Sequence, residues 1–156
     1  MAKHGGFTLI ELIIVIVLMG ILAAVAMPRM MRSTALAGVV FRADVVSALR
    51  FAQKSAVGHR RLVCATLTPT TVTLSIAAAN PALACATALA SPDGTPYQSK
   101  DGSVQASGYP AGGVLYFQSG GTITSDGAGT VVFAGNIAIT GQSVLISIQG
   151  ATGYVE

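Results

Sequence analysis

The chain has 156 residues, 52% of them hydrophobic and only 10% charged, with a formal net charge of +3. That length supports one modest domain beyond a hydrophobic helix. Its bases gather early, at Arg29, Arg32, Arg42, Arg50, Lys54, Arg60 and Arg61, and only Lys100 follows, against Asp93, Asp101, Asp126 and Glu156. The C-terminal part is therefore nearly uncharged and slightly acidic, which excludes a broad phosphate-binding surface there.

The N-terminus reads Gly5-Gly6-Phe7-Thr8-Leu9-Ile10-Glu11, and apart from Glu11 it is strongly apolar from residue 7 to residue 27. Those 21 residues span about 30 Å as a helix, the thickness of a bilayer's hydrocarbon core. Lys3 and His4 precede the run, a positive flank that favours a cytoplasmic N-terminus. Ala23-Ala24-Val25-Ala26 imitates a secretory cleavage site, so an ordinary signal peptide stays open as an alternative. It leaves Glu11 unexplained. A carboxylate at the centre of a membrane helix costs roughly 2.5–3.5 kcal/mol, less toward the interface, and calls for a partner.

Gly6-Phe7-Thr8-Leu9-Ile10-Glu11 resembles the class III signal of type IV prepilins and type II secretion pseudopilins. Gly20 and Pro28 fall where that family has a helix-weakening glycine and proline. The resemblance implies cleavage between Gly6 and Phe7 by a membrane-embedded prepilin peptidase, then N-methylation of Phe7. The apolar segment stays in the mature protein. Four expected regions follow: a leader over 1–6, a transmembrane helix half over 7–28, an amphipathic helix half over 29–58, and a periplasmic β-rich domain over 59–156.

Cleavage would give Phe7 a new α-ammonium four residues before Glu11. A buried carboxylate is tolerable when paired, and stripping one partner from a buried pair costs about 3–5 kcal/mol. Glu11 can meet its own N-terminus or that of a neighbouring subunit, and the resemblance implies that the second pairing sets axial register in a filament. The plainer alternative leaves Glu11 in the headgroup region with no specific role.

Pro28 removes a backbone hydrogen bond and predicts a kink. Beyond it Phe41, Val45, Ala48, Leu49, Ala52 and Ala56 recur at helical spacing, a stripe expected to pack under the chain's own domain. The opposite face is apolar at Leu36, Val39, Val40 and Ala43, then polar at Ser47, Arg50 and Lys54, which are expected to face solvent or a filament groove. Gly58 offers a stop.

Short β-branched runs then replace the helical period. Residues 61–67 and 72–76, around Thr68-Pro69-Thr70, predict a hairpin. Strands are also expected at 114–117, 131–133, 137–139 and 144–148, with a last short one at Tyr154 and Val155. Asp93-Gly94, Asp101-Gly102, Gly120-Gly121, Asp126-Gly127 and Gly135-Asn136 read as turns. Residues 77–110 read as a long loop with one or two strands at most. The fold class expected is α+β, type IV pilin-like: a long N-terminal helix packed on an antiparallel sheet domain.

This order of elements resembles the GspH/FimT branch of the pilin family. Ser47-Ala48-Leu49-Arg50-Phe51-Ala52-Gln53 is similar to that branch's helix segment, and residues 146–155 to its final strand pair. A minor pilin of a mannose-sensitive haemagglutinin-type system is similar too. FimT-like pilins take up DNA through C-terminal arginines, whereas here Gly153 is followed by Tyr154, Val155 and Glu156. The guanidinium groups that would bind phosphate are missing, so nucleic acid is not an expected partner, and DNA uptake is the alternative reading.

Cys64 and Cys85 are the only cysteines. In a periplasmic domain their even number favours one disulfide, with free thiols or a metal site as alternatives. Zinc would need two further ligands, and His59 is the only histidine left after processing. No Ser/His/Asp set is recognisable, and the Asp-Gly turns lack the dense acidic loop that calcium prefers. No cofactor, metal or catalytic residue is therefore expected. The chain reads as the substrate of an enzyme and as a bacterial inner-membrane subunit with a periplasmic C-terminal domain. Its expected partners are other pilins, the prepilin peptidase, the assembly platform and membrane lipid.

Overall fold

A computed structural model describes residues 8–30 and 34–156, without the side chains of residues 25–30. The chain forms two compact units, Met1–Ser33 and Thr34–Glu156. In the first, helix α1 spans Leu9–Met30. Thr8 starts it: the Glu11 amide donates to the Thr8 hydroxyl (3.3 Å) and to its carbonyl (3.1 Å). Thr8-x-x-Glu11 has the sequence of a capping box, which satisfies amides that the first helical turn leaves orphaned.

The second unit opens with helix α2, Thr34–His59. Ten strands follow: β1 Val63–Leu67, β2 Thr71–Ile76, β3 Thr87–Ala88, β4 Tyr97–Gln98, β5 Ala106–Ser107, β6 Val114–Phe117, β7 Ile123–Thr124, β8 Ala134–Ile139, β9 Ile146–Gln149 and β10 Tyr154–Val155. All pairings are antiparallel. One sheet runs β3-β2-β1-β6-β7 with β4 also on β2, and the other runs β10-β9-β8-β5. The fold is thus a helix packed on antiparallel β-structure, the α+β class expected.

Helical period and strand alternation meet in one core. Phe41, Val45, Ala48, Leu49, Ala52 and Ala56 are fully buried, and α2 packs on strands of both sheets. Alternate β1 residues Val63, Ala65 and Leu67 face the same core, joined by Leu115, Phe117, Ile137, Ile139, Ile146 and Ile148. Ala48, Ala52 and Ala56 lie along one ridge, where short side chains allow close approach. Each large aliphatic side chain buried here contributes roughly 1.5–3 kcal/mol.

Helix α2 ends one residue later than glycine predicts. Gly58 is still helical, and Arg60 takes the left-handed conformation (φ 52) just after His59. The Arg61 amide donates to the Ala56 carbonyl (3.1 Å) and the Arg60 amide to Val57 (3.3 Å). That is a Schellman closure with arginine in the position usually taken by glycine.

Three other local expectations change. Residues 131–133 form no strand; Val132 makes only an isolated bridge to Thr124. Gly135 and Asn136 lie inside β8 rather than in a turn. Residues 77–110 hold three strands, each of two residues, because the loop borrows hydrogen bonds from β2 and β8 edges instead of forming its own hairpin.

The isolated bridge marks where the sheets join. The Ile123 amide donates to Gly150 (2.8 Å), the Phe133 amide to Ile123 (3.0 Å) and the Gly150 amide to Phe133 (2.9 Å). A Cβ on Gly150 would collide with the Phe133 and Ile123 carbonyl oxygens. Both obstacles are backbone, so neither can swing away. Gly150→Ala should therefore destabilise residues 34–156 by about 1–3 kcal/mol or more, measured by urea denaturation; an unchanged midpoint would contradict the tight junction.

Candidate functional site

Gly6 and Phe7, the expected cleavage and methylation positions, lie outside the described residues. Glu11 occupies the third helical position of α1, held there through its amide by Thr8. A carboxylate near a helix N-terminus is favoured by the helix dipole. The Thr8 capping role was readable from Thr8-x-x-Glu11 and is absent from the leader-based reading.

Side chains from Leu9 to Ala24 are all exposed in the chain. Leu9, Ile16 and Leu22 are 77%, 59% and 68% exposed, although they lie on different sides of the helix. A helix apolar all round needs lipid or other helices to cover it. Among the described residues no helix is long and apolar enough to cross a membrane; the described side chains of α1 stop at Ala24, before the apolar run ends at Met27. Gly20 lies within α1, and a Cβ there would meet nothing within 4 Å. Pro28 also falls within α1, while residues 31–33, just after the expected kink, lie outside the described residues.

The open face of α2 carries the rest. Val39 and Val40 are exposed, whereas Arg42 and Arg50 are not simple solvent-facing charges. Arg42 Nε donates to the Val144 carbonyl (3.1 Å) and Nη2 to Leu145 (3.3 Å). Arg50 Nε donates to the Val155 carbonyl (3.0 Å). These straps tie the helix to the ends of β9 and β10, and Arg50, exposed as expected, adds a backbone contact to its solvent-facing position. Sequence periodicity puts Arg50 on the polar flank but has no signal for carbonyls over 100 residues away. Between Arg42, Ser47, Arg50, Lys54, Pro92 and Glu156 lies an open groove of about 660 Å³.

Cys64 and Cys85 are bridged, with Cα atoms 6.0 Å apart. The bridge fastens the outer face of β1 to the long loop, where Leu62, Cys64 and Ala77 form a small second core. For a separation of 21 residues, loop closure contributes about 3 kcal/mol in the chain-entropy model. The Cys64→Ser/Cys85→Ser double variant should lose roughly that much stability in urea denaturation; an unaffected midpoint would show that the bridge constrains nothing.

The aspartates are occupied by their own turns. Asp126 accepts from the Thr130 amide (3.0 Å), the Thr130 hydroxyl (2.9 Å) and the Val131 amide (2.7 Å). Asp93 accepts from the Thr95 hydroxyl (2.7 Å) and Asp101 from the Ser103 hydroxyl (2.7 Å). Among the described residues no group of three or more His, Cys, Asp or Glu side chains could hold a metal ion. At the last strand, the Tyr154 hydroxyl donates to Glu156 Oε2 (3.1 Å).

Hydrogen bonds from the Thr130 and Val131 amides hold the Asp126 carboxyl below its usual range. A depressed folded-state pKa stabilises above the unfolded value near 3.8 and loses that contribution as pH falls through the folded value. Asp126→Asn should therefore be less stable than the parent at pH 7, with the gap closing below about pH 4. Thermal melts across that range check it; a gap that stays constant with pH would contradict the charged turn.

A family described as the prokaryotic N-terminal methylation motif matches residues 1–27. Two fimbrial proteins of Pseudomonas aeruginosa are each 42% identical to the chain over 69 residues, 44% of this chain and 45% of theirs. The chain thus spans just under half the length of these curated relatives. No solved structure matches it. The methylation motif over residues 1–27 and the fimbrial similarity over 69 residues make the chain similar to type IV pilins over part of its length.

Proposed function

We propose that the chain is a minor pilin or pseudopilin of the GspH/FimT-like branch, a structural subunit of a type II secretion pseudopilus or a type IV pilus. The observation that carries this reading is the methylation motif over residues 1–27, together with an apolar helix whose described side chains, Leu9 to Ala24, are all exposed. Prepilin peptidase cuts between Gly6 and Phe7 and methylates Phe7. Residues 7–28 then anchor the subunit in the inner membrane, with the N-terminus cytoplasmic and the domain over 59–156 periplasmic.

On assembly, apolar helices of other subunits replace lipid around residues 9–24. Glu11 then has a defined task. Its carboxylate, desolvated among those helices, is neutralised by the α-ammonium of a neighbouring Phe7, and only one axial offset brings the two together. The chain is in this account the substrate of an enzyme. Protein secretion or piliation follows from the filament it helps to initiate.

Glu11→Ala in the full chain should leave membrane insertion and cleavage intact and strongly reduce recovery in sheared filaments. Immunoblots of membrane and filament fractions measure both; normal recovery would remove the register role. DNA uptake gains no support from the last strand, where Tyr154 and Glu156 hydrogen-bond to each other.

A further inference from the structure

One flank of α2 carries positive charge that its own unit does not neutralise. Two adjoining depressions, of about 660 and 440 Å³, share Arg50 and Lys54 in their walls. Val46 and Phe51 line the larger one and Tyr154 the smaller. Lys54 is exposed and has no hydrogen bond or ion pair among the described residues. Arg50 uses only Nε, on the Val155 carbonyl, which leaves its terminal nitrogens open. Glu156 also lines the larger depression, but its carboxylate accepts from the Tyr154 hydroxyl (3.1 Å) and forms no ion pair with either base among the described residues.

Asp126 is the acid that stands out on another surface. Its carboxylate is held by three hydrogen bonds from Thr130 and Val131, and its carbonyl accepts from the Thr124 hydroxyl (2.8 Å). A carboxylate has about four acceptor positions, so one stays open to a further donor. Around it Leu83, Val131 and Val132 are 70%, 56% and 49% exposed. Leu83 lies directly against this turn, because a Cβ on Gly127 would overlap its carbonyl oxygen. The Asp126 turn is thus a fixed acidic point in an apolar collar.

These two surfaces cannot meet within one unit. Helix α2 packs on the face of β1 that carries Val63, Ala65 and Leu67. Leu83 belongs to the loop that Cys85 fastens to Cys64, on the opposite face. A basic groove with apolar walls and an acidic turn with an apolar collar are complementary in charge and in polarity. Because they lie on different faces, they suit a heterologous contact, which joins copies head to tail.

We propose that the groove on α2 of one copy receives the Asp126 turn of a second copy, with Arg50 and Lys54 facing the carboxylate and Val46 and Phe51 facing Val131 and Val132. The proposal rests on the filament reading above and deepens it, naming a neighbour and the surfaces that meet. A single turn in a groove falls short of the roughly 1,000 Å² that a stable free interface buries. The contact therefore adds to others within a filament instead of making a dimer alone.

Ser47 is exposed in the groove, between Val46 and Arg50. The full chain with benzoylphenylalanine at Ser47 is irradiated in sheared filaments, species with the mass of two chains are isolated, and their cross-linked peptides are sequenced. The expected attachment lies within residues 125–132 of the second copy. Adding Lys54→Glu should reduce this species by about fivefold or more, with an unchanged urea midpoint, while Lys54→Arg retains it.

Attachment to another protein, to another part of a second copy or to nothing, in chains present in filaments, would overturn this contact and leave the filament reading standing. An undiminished species in Lys54→Glu would overturn it equally. Absence of the chain from filaments would overturn the filament reading itself, and the proposal with it.

Discussion

Burial of the stripe from Phe41 to Ala56 on α2 is the constraint on which the folded unit depends. Six of its side chains are fully buried, and strands from both sheets close over them. Neither sheet has a second hydrophobic layer of comparable extent, and several strands are only two residues long. Such strands cannot hold a sheet together by their own ladders. Helix α2 packs on β1, β2, β4, β6, β8 and β10, giving the inward-facing residues of these strands a common partner. Arg42 and Arg50 complete the arrangement by binding carbonyls at the margins of β9 and β10.

One helix therefore serves two opposed demands. Its buried face fixes a domain, and its other face carries the exposed Val39 and Val40. Periodicity separates the two: Phe41, Val45 and Leu49 point inward, while Val39 and Val40 remain exposed. The described side chains of helix α1, from Leu9 to Ala24, are all exposed. Leu9, Ile16 and Leu22 are exposed around its circumference, and a helix apolar all round is stable when lipid or other helices cover it. That division between a self-sufficient domain and an uncovered apolar helix is the feature on which the proposed filament role rests.

Features set by local pattern were readable from sequence. The Phe41-to-Ala56 stripe, the hairpin around Thr68-Pro69-Thr70 and the strand at 114–117 all follow from spacing and turn chemistry. Features set by distant backbone were not. Val131 and Phe133 look like strand residues, yet the chain there is committed to the three-way junction with Ile123 and Gly150. Gly135 resembles a turn glycine but sits in β8 beside the Phe133 ring. Arg60 occupies a left-handed position that glycine-based reasoning assigned to Gly58. For the site, Gly6, Phe7 and Glu11 were marked by the leader motif, whereas the strapping roles of Arg42 and Arg50 had no sequence signal.

The central claim is that the new N-terminus at Phe7, next to Glu11, is made for use inside a filament. Intact-mass and N-terminal fragment spectra of the native chain, isolated from sheared filaments, test it directly. The account predicts a mature chain beginning at N-methylated Phe7 and lacking residues 1–6. A filament-associated chain that retains the leader, or one cleaved after Ala26 and released without the apolar helix, would contradict it.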